Sequence, residues 1–199
     1  MLNEKTAARL LNSLFSRNDA QPVYLRRAWI DDAGRMCATD SYRAYRLNNP
    51  IPGVPDMDAA QGLDFGRIWP KENSMKPLQL PTLAEVKAMM EEDRRKEKHK
   101  EAGAWVYTFG TDENGDRLPA VNLKYLYDIL QLFPDASAYC TTPIKPLLFK
   151  SQDGEAILVP MRPAAAVDST RRRVAPAVKA KKCDNAPALG LRTFAALYA

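Results

Sequence analysis

Two amphipathic helical stretches, each leading into a set of short strands, constrain this chain more than any other feature. Over residues 3 to 16, Ala7, Leu10, Leu11, Leu14 and Phe15 recur at helical spacing, with Lys5, Arg9, Asn12 and Ser16 on the opposite side. Asn122 is placed to cap a second helix with Leu123, Leu126, Tyr127, Leu130 and Phe133 on its apolar face and Lys124, Asp128 and Gln131 on the other; Pro134 ends it. Helices this short need a surface that covers the apolar stripe.

The segments after each helix supply that surface. Residues 23 to 30 and 35 to 39 read as strands joined by the turn "DDAG", in which Gly34 supplies the positive φ, and residues 42 to 47 read as a third strand. After the second helix come strands over residues 136 to 141, 146 to 150 and 156 to 159, the last two joined at Asp153 and Gly154. Between the halves, "PIPGVPDMDAAQG" is a loop, residues 65 to 69 a short strand stopped by Pro70, and residues 105 to 109 another strand. Thr82 and Glu85 form a capping box that launches a helix into a run of alternating charge, read as a solvated helix or a linker. The pattern is an α+β chain of two helix-plus-antiparallel-sheet halves sharing one apolar interior. The repeat rests on element order, not on residue identity between the halves.

Charge is distributed unevenly. The formal excess is +5, and residues 164 to 199 hold seven basic side chains against two acidic ones, so residues 1 to 163 are neutral. Length and this division predict one domain followed by a basic flexible tail over 164–199. Arg171, Arg172 and Arg173 in that tail fit a phosphate backbone through counterion release, and equally fit a solvated disordered segment. The tail closes on the apolar residues Leu189, Leu191, Phe194, Leu197 and Tyr198. They read either as a self-docking or partner-docking peptide or as a short helix packed on its own domain.

Several function classes are set aside. Cys37, Cys140 and Cys183 are far apart without metal spacing, so reduced thiols are expected and no metal or cofactor. No stretch approaches a membrane span, and Glu4, Lys5 and Arg9 stand where a signal peptide needs an apolar run; a cytoplasmic location is expected. Asp40 and Ser41 in "GRMCATDSYRAYRLN" invite a catalytic reading, but the chain's one histidine, His99, lies in the charge run. Asp40 is better read as bonding backbone N–H groups at a hairpin corner. "DENGD" departs from a calcium loop and fits an Asn-Gly turn. With no phosphate loop or HExxH, no enzyme is expected.

Against this background "MCATDSYRAYRLN" resembles the strand, TD corner and following strand of the bacterial sliding clamp, the β subunit of DNA polymerase III. "NLKYLYDILQLFP" followed by "PIKPLLFKSQDGEAILVPMRP" resembles that family's final helix, apolar strand, DG hairpin and closing strand. The resemblance covers roughly residues 1 to 163 and implies one clamp-like domain over 1–163, of two pseudo-repeated halves, with a diverged or inserted segment over about 50–115.

It also implies a mechanical function. Such a protein is a DNA replication accessory, or processivity factor, of bacterial or phage type; it associates with double-stranded DNA without reading sequence and docks DNA polymerase or repair proteins. By resemblance the DNA contacts fall on Lys5, Arg9, Arg17 and Lys124, each also readable as an ordinary solvated side chain. The partner-peptide groove falls on Leu148, Leu158, Pro160, Met161 and Arg162; for Leu148 and Leu158 strand packing is the competing reading. A clamp protomer strings several domains together whereas this chain has room for one, so a ring calls for a homo-oligomer of about six copies. The alternative is a clamp-fold interaction or scaffold protein, of phage or mobile-element type, that binds replication proteins without encircling DNA.

Overall fold

The computed structural model describes residues 2–71, 75–98 and 105–161, with side chains of the second stretch described to residue 95. His99, Arg162, Cys183 and the tail, including Arg171, Arg172 and Arg173, lie outside the described residues.

Helix α1 spans Glu4–Leu14, and its N-cap Asn3 accepts a hydrogen bond from the backbone N–H of Thr6 at 3.0 Å. Three antiparallel strands follow: β1 (Ala28–Ile30), β2 (Met36–Thr39) and β3 (Arg43–Leu47). The middle segment contributes β4 (Asp56–Met57), the one-turn helix α2 (Phe65–Ile68), β5 (Lys76–Leu78), α3 (Leu83–Lys98), β6 (Val106–Thr108) and β7 (Ala120–Asn122). Helix α4 (Leu123–Leu132) then leads into β8 (Ser137–Cys140), β9 (Leu147–Ser151) and β10 (Gly154–Leu158).

One eight-stranded sheet carries both halves, in the order β4-β1-β2-β3-β10-β9-β8-β5, with β6 and β7 forming a separate ribbon. The two meanders, β1-β2-β3 after α1 and β8-β9-β10 after α4, meet at their last strands. There β3 and β10 pair antiparallel, from Leu47 opposite Gly154 to Arg43 opposite Leu158. That symmetry realises the helix-then-strands repeat expected from the sequence. The segment between the two meanders supplies both edges, β4 parallel to β1 and β5 antiparallel to β8.

Side chains alternate across the sheet, and each parity is buried. Met36, Ala38, Tyr45, Leu47, Leu147, Phe149, Ala156 and Leu158 join Leu10, Leu11, Leu126, Ile129 and Phe133 in the core beneath α1 and α4. A fully buried aliphatic or aromatic side chain of this kind contributes about 1.5–3 kcal/mol. The opposite parity, Trp29, Cys37, Ala44, Leu148 and Ile157, forms a second cluster closed by Phe65 and Trp69 of the middle segment. The expected single interior is therefore corrected: the sheet is buried on both faces, as near-continuous apolar strands require.

Two local expectations are also corrected. Residues 65 to 69 form not a strand but a one-turn helix, Phe65–Ile68, capped by Trp69: the Asp64 side chain accepts from Gly66 N–H at 2.9 Å and starts the turn. The i, i+4 spacing of Phe65 and Trp69 then brings their rings to 5.1 Å of each other over the sheet. Residues 23 to 30 begin with a turn of 3-10 helix at Val23–Leu25 before β1. The Thr82 and Glu85 capping box forms as expected, with Glu85 accepting from the Thr82 backbone at 2.7 Å and Thr82 accepting from Glu85 N–H at 3.2 Å. No described helix is long and apolar enough to cross a membrane.

Candidate functional site

The corner at residues 40 to 43 is a structural joint. The Asp40 carboxylate accepts from the backbone N–H of Tyr42 and of Arg43, both at 2.9 Å, and pairs with Arg43 Nε at 3.0 Å. Those bonds hold Ser41 in the left-handed region at φ 74°, where few non-glycine residues sit without such support. Arg43 continues across to Asp128 on α4 and lies over the Tyr125 ring at 4.4 Å, so the corner ties β3 to the second helix. Asp40 and Ser41 are thus occupied in a turn, as the hairpin reading expected. Asp112 does the same in "DENGD", accepting from Asn114 and Asp116 N–H at 2.9 Å and from Lys76 at 2.8 Å.

Helices α1 and α4 lie in contact on one face of the sheet, and their outer sides form the surface that the resemblance assigns to DNA. Lys5, Arg9, Arg17 and Lys124 are all exposed. Arg9 bridges the helices by donating to Gln131 at 3.0 Å, and Lys124 stands 3.5 Å over the Trp105 ring. Lys5 and Arg9 share the exposed side of α1, Lys124 sits at the start of α4, and Arg17 lies beyond the end of α1.

The four described groove residues are not gathered in one place. Leu158 points into the helix-side core and Leu148, opposite Ile157 in the β9–β10 ladder, into the outer cluster. Pro160 is half-buried, and Met161 is 37% exposed with its N–H donated to Ala120 at 2.7 Å. Register explains the separation: neighbours on paired strands share a face, and these two leucines are one position out of step.

The architecture of two adjoining helices on a sheet built from two mirrored meanders is that of the DNA sliding clamps. The β subunit of DNA polymerase from Streptococcus pyogenes superposes with a TM-score of 0.56 at 12% identity, over 80% of this chain and 64% of that one. The DNA polymerase III β chain of Streptococcus pneumoniae gives 0.53 at 12% identity, over 80% and 63%. The Helicobacter pylori β clamp, solved bound to a DNA ligase peptide, gives 0.53 at 12% identity, over 79% and 62%. The chain thus spans less than two thirds of these structures. No family model and no curated protein matches it.

Proposed function

We propose that this chain is a clamp-fold accessory protein of DNA replication that acts by binding rather than by catalysis. It associates with double-stranded DNA through the outer side of α1 and α4 and docks polymerase or repair proteins. The observation that carries the reading is the helix pair set across a sheet of two mirrored meanders, the arrangement it shares with the solved clamps. Lys5, Arg9, Arg17 and Lys124 are the proposed phosphate contacts, joined by Arg171, Arg172 and Arg173 from the tail over 164–199. Contacts this few suit a ring that confines DNA topologically. Peptide docking falls to the end of β10, where Met161 is the exposed apolar side chain.

A second reading, a clamp-fold scaffold that does not encircle DNA, is favoured by the sheet edges and by the cations. β4 has two residues, and β5 carries Pro77, which has no N–H to offer another strand, so neither edge is a good template for joining copies. Arg9 and Lys124 are already engaged with Gln131 and Trp105.

Light scattering together with retention on nicked circular against linear DNA tests the choice. A multi-copy mass with retention on the circle alone supports the ring. A monomer that binds a polymerase or clamp loader, and loses that binding in Met161→Asp, supports the scaffold. A monomer that binds neither DNA nor a replication protein overturns both.

A further inference from the structure

The outer face of the sheet holds a feature that DNA association does not use. Arg46 of β3 is 9% exposed and has no carboxylate within ion-pairing distance among the described residues. Its guanidinium lies 4.3 Å over the Trp69 ring and 5.5 Å from Phe65, and its Nε is buried without an acceptor. The two nearest carboxylates are engaged elsewhere. Asp31 is held by Arg35 at 2.8 Å and by turn N–H groups, and Glu155 faces Lys150 at 3.6 Å. The Cys37 thiol beside Arg46 supplies no charge, since burial and the nearby Asp31 push it up to about 12. Desolvation, with Arg35 adding to it, lowers the Arg46 pKa from its ordinary value. The charges of Glu155 and Asp31 favour the cation but do not offset its desolvation, and a buried cation without a contacting counter-charge is costly.

Two cavities open on this side chain. One, of about 250 Å³, is lined by Arg35, Arg46, Asn48 and Lys150, with the Lys150-paired Glu155 also on its wall. The other, of about 380 Å³, is lined by Arg35 and Arg46 together with Trp29, Leu63 and Phe65. Arg35 and Arg46 border both, so the same two cationic donors stand on the polar cavity and on the mixed one that Trp29, Leu63 and Phe65 also line. We propose that this is a binding site for a small ligand bearing a single oxyanion group, carboxylate or phosphate, on an apolar body. The oxyanion takes bonds from Arg46 and Arg35 and the apolar body lies against Leu63 and the aromatic wall. Asp31, Asp32 and Asp64 border the larger cavity, and repulsion from these acids disfavours a polyanion such as nucleic acid.

Benzoate, phenyl phosphate and a short DNA duplex, titrated separately at constant ionic strength, test this through the fluorescence of Trp29 and Trp69. The expected result is a saturable response to benzoate or phenyl phosphate, with the tighter of the two identifying the oxyanion. That affinity falls at least tenfold in Arg46→Met and in Arg35→Gln and is unchanged in Lys5→Ala. Arg46→Lys, which keeps the charge but loses the planar fork, also weakens binding and serves if Arg46→Met does not fold. The proposal is overturned by no saturable response to either small anion, by equal affinity in the Arg46 and Arg35 variants, or by a duplex response that needs Arg46.

Discussion

β3 carries two buried arginines three residues apart, and their surroundings differ in kind. Arg43, 6% exposed, points toward the helices, pairs with Asp40 and Asp128 and lies over Tyr125. Burial works against its cation, but the neighbouring Tyr45 hydroxyl and the two carboxylates outweigh it and raise the pKa. Arg46 points to the other face, where aromatic rings and a neutral thiol surround it and the pKa is lowered. The first guanidinium completes a structural joint between sheet and helix. The second has no carboxylate in contact and lies next to open volume. Burial alone therefore does not distinguish a structural charge from a binding one; the counter-charge does.

Substitution by an apolar residue of similar reach breaks the comparison most directly. Arg43→Met strands Asp40 and Asp128 and is expected to lower unfolding stability by about 3 kcal/mol, the scale for removing one partner of a buried pair. Arg46→Met strands no carboxylate and is expected to leave the denaturation midpoint unchanged or raised. Equal losses in urea denaturation would show that both arginines are held in the same way.

The next effect separates the two covers of the sheet. Gly62 lies against Trp29, where an added Cβ would meet the indole at 2.5 Å. Gly62→Ala must displace the ring or the loop and is expected to cost about 1–3 kcal/mol, as overpacking does. The helix-side core should keep its amide-exchange protection while the outer layer loses it. Asn122→Ala, which removes the acceptor for Lys124 N–H at 2.9 Å, acts on the helix side instead and should cost about 1 kcal/mol in thermal or urea unfolding.

How far the sequence anticipates this structure depends on the range of the interaction. The Asn122 cap and the Thr82–Glu85 box depend on residues three positions away or fewer, and both were legible; the Asn3 cap, just as local, was not read from the spacing over 3 to 16. The Asp40 corner was legible for the same reason. The outer layer was not, because Cys37, Ala44, Leu148 and Ile157 are apolar residues interleaved with inward-facing ones, and a strand apolar on both parities does not reveal what covers it. "FGRIW" reads as a strand on composition, and its helical spacing matters only once the sheet surface is present to receive Phe65 and Trp69. Parity places Arg43 and Arg46 on opposite faces of any strand containing both. What it cannot supply is Asp128, 85 residues away, which neutralises only the first.

The smallest expected effect concerns the acid beside the uncompensated arginine. Desolvation pushes the Asp31 carboxyl up, but bonds from the Arg35 side chain and backbone, the Arg35 charge and the Ala33 N–H together outweigh it, and the pKa is lowered. A carboxyl depressed in the folded state contributes stability that is fully present above its unfolded value, about 3.9, and is lost as pH falls through the folded value. Asp31→Asn should therefore be less stable than the parent at neutral pH, with the gap closing as pH drops below about 4. Urea midpoints followed from pH 7 to 3 measure this. A gap that instead widens on acidification would mean that Asp31 is not stabilised as an anion in the folded protein.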